Sequence, residues 1–235
     1  MMLMRNWILY LLILNSALSK AQAYELGDLS MNFNYGAPQI TPAVIKVGLN
    51  LYYKSKWADN SYQFSIKNTG VYNAKLEYGV HENLSLGFAA SYWSMGIDLQ
   101  HNYNDNHPVT NVKTDFLDSY HFDVSAMAVG LRGNYHFFGG EKRKVIDPYS
   151  GLTIGLTKYT YNVGFKSDYP DKKLPADTYH YKSGLSTYFS GTLGMRVYPV
   201  KYLGFNFEVG FDRGAFLFGG VVFKIHTNPP QFLKD

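Results

Sequence analysis

From Leu203 to Asp212 the chain alternates without interruption. Leu203, Phe205, Phe207, Val209 and Phe211 are apolar, and Gly204, Asn206, Glu208, Gly210 and Asp212 between them are small or polar. A period of two sends successive side chains to opposite faces, so this segment predicts a β-strand with one apolar and one polar side. A tight Arg213-Gly214 turn returns the chain through a second strand carrying Leu217, Val221, Phe223 and Ile225. The same pattern recurs upstream. Residues 43–54 set Ile45, Val47, Leu49, Leu51 and Tyr53 against Lys46, Gly48, Asn50 and Tyr52. Residues 70–80 set Tyr72, Ala74, Leu76, Tyr78 and Val80 against Asn73, Lys75, Glu77 and Gly79. A third strand follows the 81–83 turn, with Leu84, Leu86, Phe88, Ala90 and Tyr92 on one face. Residues 120–137 form a fourth, clearest where Met127, Val129, Leu131 and Tyr135 oppose Arg132, Asn134 and His136. Parity is confused before Met127, which predicts a bulge or an extension beyond the membrane. Leu152, Ile154 and Leu156 mark the fifth strand, and Leu185, Phe189, Leu193, Met195 and Val197, opposite Arg196, mark the sixth.

Eight strands result, with long polar connections at 55–69, 96–119 and 165–182 and short ones at the other end. That predicts an all-β fold, an eight-stranded antiparallel up-and-down transmembrane β-barrel. The barrel is expected to occupy residues 43–226. Residues 1–23 read as a signal peptide: Arg5, an apolar run from Trp7 to Leu14, and a small-x-small site at Ala21-Gln22-Ala23. Residues 24–42 read as a periplasmic leader, and 227–235 as a C-terminal tail.

Charge position decides which face meets lipid. Lys46, Lys75, Glu77, Arg132, Arg196, Glu208 and Lys224 all fall on the polar side of their strands. A lysine or arginine on the lipid side at mid-bilayer costs about 2–4 kcal/mol. The polar side therefore faces the lumen, and these seven residues are the candidate lumenal ion-pair network. Cations outnumber Glu77 and Glu208, so some must find hydroxyls, carbonyls, Asp212 or water. Glycines such as Gly48, Gly87, Gly130, Gly155 and Gly194 share that side, and Tyr53, Tyr72, Tyr78, Tyr92, Tyr135, Tyr149 and Tyr198 suit interfacial girdles. A secreted lipocalin-like barrel would turn the glycine-rich face to water, where glycine only weakens strands.

Two segments carry a resemblance. Gly130-Leu131-Arg132-Gly133-Asn134-Tyr135-His136-Phe137 with Asp147-Pro148-Tyr149-Ser150-Gly151-Leu152, and Gly194-Met195-Arg196-Val197-Tyr198 with the strands from Leu203 to Ile225, resemble the outer-membrane-protein-A/opacity-like family. The resemblance implies an eight-stranded barrel in a Gram-negative outer membrane.

Composition removes several functions. The chain has no cysteine, so it has no disulfide, thiolate nucleophile or cysteine metal site. A net charge of +4, scattered along the chain, gives no nucleic-acid footprint. Aromatic content of 17% with a mean hydropathy of -0.21 is what alternating strands produce. His101, Asp105, His107, Asp115 and His121 are metal-capable types without a fixing spacing, and Ser91, Ser94 and His121 are hydrolase types that nothing orients together. No catalytic residue, metal or cofactor is expected. The expected partners are outer-membrane lipid and surface or envelope proteins met by the outer loops. A narrow channel gated by the lumenal pairs is the second reading.

Overall fold

A computed structural model describes residues 24–56, 62–107, 109–110, 112–139, 145–169 and 179–230. The signal-peptide reading at 1–23 lies outside the described residues, as do 231–235 of the tail. The strands are β1 (Asp28–Gln39), β2 (Tyr62–His81), β3 (Leu84–Asn106), β4 (Lys113–His136), β5 (Ile146–Ser167), β6 (Tyr179–Val200), β7 (Leu203–Asp212) and β8 (Ala215–His226), and helix α1 (Ile40–Lys56) joins β1 to β2. Each strand pairs antiparallel with its neighbours in sequence, and β1 pairs with β8, closing the ring.

The first strand is not where the alternation of residues 43–54 places it. β1 comes from the supposed leader, where Asp28, Ser30, Asn32 and Asn34 are buried and Leu29, Met31, Phe33 and Tyr35 point the other way. β1 pairs on both sides, Asn32 with Lys75 of β2 and with Val222 of β8. That leaves no free edge for residues 43–54. Their backbone groups must then be satisfied within the segment, and a helix does this. On α1, Pro42, Ile45 and Leu49 are half-buried, a stripe at helical spacing, while Lys46 is exposed. Lys46 and Gly48 are therefore outside the lumen, and Tyr53 sits on a helix instead of in a strand.

Among the described residues the predicted loops are mostly strand. β3 runs to Asn106 and β4 starts at Lys113, so the 96–119 stretch is largely a hairpin above the membrane. Neither ladder of β4 shows a register shift, so the confused parity before Met127 is extension and not a bulge. Above lipid both faces of a strand can be polar, and alternation disappears without the strand ending.

The rim is uneven. β2 to β6 are 20 to 24 residues long, whereas β1, β7 and β8 have 12, 10 and 12. β6 pairs with β7 only from Gly191 downward, and β2 with β1 only from Val71 downward. Above those levels five strands stand as a curved wall, and on its low side α1 packs Ile45 against the apolar cluster of Val71, Trp93, Ala215 and Phe218. The low side is turned by Arg213-Gly214, with φ of 51° and 80°. Positive φ at both central residues is what a two-residue hairpin turn requires.

Candidate functional site: the barrel interior

The outer surface is apolar through one band. Leu86, Phe88, Met127, Val129, Leu131, Leu152, Ile154, Phe189, Leu193, Phe205, Phe207 and Val209 are each more than half exposed. Along β3 the band runs from Leu84 to Tyr92, a rise of about 26 Å along the strand and about 20 Å after tilt. Tyr35, Tyr72 and Tyr92 border it above in neighbouring registers, with the Tyr35 and Tyr72 rings 5.4 Å apart edge to face. Tyr135 and Phe137 border it below, 5.6 Å apart. Tyr149 and Tyr198 do not join these girdles: both are buried in the lumen. Charge returns on the outer face above the band, where His121 bridges Asp98 and Asp123 and Lys67 lies 3.5 Å from Asp98.

Inside, charge is concentrated and paired. Arg132 of β4 reaches across the lumen. Its Nε donates to Glu77 Oε1 at 3.1 Å, and its terminal nitrogens donate to Thr153 at 3.2 Å, Thr192 at 3.0 Å and Glu208 at 3.2 Å. Arg196 pairs with Glu77 and Lys75 with Glu208. Tyr149 donates to Glu208 and to Asn206, the latter at 2.8 Å, and the Arg196 guanidinium lies 4.4 Å over the Tyr149 ring. Two glycines make this layer possible. A Cβ on Gly151 would lie 2.2 Å from an Arg132 nitrogen, and one on Gly194 would lie 2.4 Å from the Tyr149 ring.

Five of the seven predicted residues thus meet in one layer: Lys75, Glu77, Arg132, Arg196 and Glu208. Lys224 is also in the lumen, but lower, 3.2 Å from Asp28 and 4.9 Å over the Tyr198 ring. Lys46 is on α1 and takes no part. The carboxylates missing from the sequence reading are Asp28 and Asp147. Asp147 lies 4.0 Å from Arg196 and accepts from His136 at 2.8 Å. Asp212 accepts from Asn73 at 2.8 Å and from Tyr188, and its charge also acts on Lys75 and Arg213. Asp28 was legible in the alternation of residues 28–35, whereas Asp147 lies just before Pro148 in what reads as a turn. Tyr24 closes the lower end, stacked on His136 at 3.6 Å and donating to the carbonyls of His81 and Leu84.

A closed barrel that is apolar outside and carries its charges paired inside spans a membrane, because its ring leaves no unpaired backbone edge in lipid. It has the fold of the eight-stranded outer-membrane barrels. No protein-family model matches this barrel's sequence, and no curated protein matches it. Among solved structures, it is similar to the outer membrane protein OprG of Pseudomonas aeruginosa at 12% identity, covering 88% of this chain and 100% of that chain with a TM-score of 0.47. It is similar to the N-terminal β-barrel domain of OprF from the same organism at 13% identity, covering 86% and 100%, TM-score 0.38. Ail, the attachment invasion locus protein of Yersinia pestis, solved with the heparin analogue sucrose octasulfate, is similar at 10% identity, covering 85% and 99%, TM-score 0.37.

The hydrolase-type residues do not converge in this barrel. Ser91 is buried in the lumen, Ser94 hydrogen bonds with Thr69, and His121 is on the outer face between two aspartates. Among the described residues, Glu25, Asp28 and His226 bring ligand-type atoms within 4.8 Å of one another at the lower end. The Lys224 ammonium and the His226 ring already contact Asp28 there, so the group is also complete as an ion-pair cluster.

Proposed function

We propose that the chain is a plugged outer-membrane barrel whose work is done at its outer face, by the tall β2–β6 wall and the loops it carries. The observation that carries this is Arg132, whose contacts reach β2, β5, β6 and β7 at one level of the lumen. Ions crossing that level would have to separate buried pairs, and removing one partner of such a pair costs about 3–5 kcal/mol. The wall above it is long, polar outside and aromatic within, which suits contact with surface or envelope partners.

The refolded chain in a planar bilayer should insert and remain electrically silent. Discrete openings that change with Glu77→Ala or Glu208→Ala would transfer the function to the lumen. A hairpin trimmed by replacing residues 101–118 with an Asn-Gly turn keeps Gln100 opposite Ser119 in the existing register. It should leave the barrel folded and silent while abolishing attachment of cells that display it.

A further inference from the structure

We infer that the low side of the rim binds a single-chain amphiphile with an anionic head, of the long-chain alkyl carboxylate class, with Arg213 as its counter-charge. This does not rest on whether the lumen conducts.

Arg213 occupies a turn position that favours asparagine or glycine, and its φ of 51° is unusual for a long side chain. Its side chain folds inward over the lumen. Nε donates to Ser91 at 2.9 Å, Nη2 donates to Thr157 at 2.7 Å, and the guanidinium lies 4.9 Å over the Tyr188 ring. These partners are neutral. Among the described residues no carboxylate lies within ion-pair distance of Arg213, in contrast to Arg132 and Arg196 below it. The neighbouring acid, Asp212, is buried, accepts from Asn73 and Tyr188, and feels the Arg213 charge without forming an ion pair with it. Arg213 is thus a half-buried cation, oriented by two hydroxyls and a ring, with donor capacity left over.

The space beside it has a matching shape. A cavity of about 440 Å³ is lined by Arg213 and by Trp93, Tyr159 and Tyr188 on the lumenal side. Phe189, Phe211 and Phe216, which face lipid, line its other side. It therefore straddles the wall where β6 has lost its β7 partner. Trp93 is only 7% exposed, and its indole Nε1–H has no hydrogen-bond partner among the described residues. The guanidinium edge at this cavity calls for an anionic oxygen group. The aromatic walls and the opening toward lipid call for an alkyl chain. The volume lies in the range of about 300–1,000 Å³ typical of small-molecule sites.

The test uses the full chain refolded in phosphatidylcholine nanodiscs, with Trp7→Phe and Trp57→Phe so that Trp93 alone reports. Bromododecanoate should quench Trp93 fluorescence saturably, and unbrominated dodecanoate should reverse it. Bromododecanol, with the same chain and no charge, should bind about ten- to hundredfold more weakly, the ratio expected for a charged hydrogen-bonded pair. Arg213→Gln should reduce the carboxylate to the level of the alcohol, and Arg213→Lys should keep most of the difference. Equal binding of acid and alcohol, unchanged carboxylate binding in Arg213→Gln, or quenching that never saturates would each overturn the assignment. The acid–alcohol comparison needs no variant at Arg213, so it decides the matter even where the glutamine variant does not fold.

Discussion

Arg132 shows how a single side chain is made compulsory by its surroundings. Its fork contacts two carboxylates and two hydroxyls from four other strands, and Gly151 leaves the space its guanidinium fills. Arg132→Met would remove the charge while leaving Glu77 and Glu208 buried. The urea midpoint of the refolded barrel should fall by the equivalent of about 3–5 kcal/mol, the usual cost of breaking a buried pair. Arg132→Lys should recover only part of this, since an ammonium cannot reproduce the planar fork. The sequence exposes Arg132, Arg196, Lys75, Glu77 and Glu208 for a simple reason: a charge inside a lipid-crossing strand has one tolerable side. The same reasoning fails for Lys46, because parity assigns a face only once a segment is known to be a strand. It also cannot say which partners meet. Arg132 reaches Glu208, 76 positions away, because barrel closure brings β4 and β7 to one level of the lumen.

At the scale of elements, alternation located seven strands and the ring decided the eighth. Two segments near the N-terminus both alternate, 28–35 and 43–54, and local pattern does not rank them. The ring does, by having one vacancy and no spare edge. Strand length was illegible for a different reason. Lipid imposes the two-residue period, so β3 and β4 become unreadable as strands where they leave it, although their pairing continues to Asn106 and Lys113. Just above that boundary His121 bridges Asp98 and Asp123. Its hydrogen bond to Asp98, with the second to Asp123, raises its pKa above the ordinary histidine value, and the same bond from His121 lowers that of Asp98. The support His121 gives the hairpin is therefore complete below about pH 6.5 and fades as pH rises through its raised value. That of Asp98 is complete above about pH 4 and fades as pH falls through its lowered value. Both groups are exposed, so the pair contributes about 0–1 kcal/mol. An NMR titration should place the His121 midpoint above the ordinary range, and Asp98→Asn should move it back down.

The whole molecule depends on one long-range seam. β1 is the strand between β2 and β8, and the backbone of Thr227 donates to Gly27 at 3.0 Å to finish it. A chain beginning at Ala43 would retain the seven later strands yet leave two bare edges in lipid, where unpaired backbone groups cost several kcal/mol each. It should fail to give the heat-modifiable band of a closed barrel on SDS gels, whereas a chain ending at Thr227 should give it. The closed ring and its lumen were readable in the sequence as a class, but the identity of the closing strand was not. The uneven rim adds a mechanical consequence. A load pulling on the tip of the β3–β4 hairpin draws both strands upward together and enters the barrel as shear along the flanking ladders, β2–β3 from Tyr62–His101 down to His81–Leu84 and β4–β5 from Asp118–Ser167 down to His136–Tyr149. In the ring β3 and β4 stand opposite β7 and β8, so tension from above is carried by these two long ladders and arrives last at the short seam beside β8. Whatever grips the tall side pulls where the barrel is hardest to unzip.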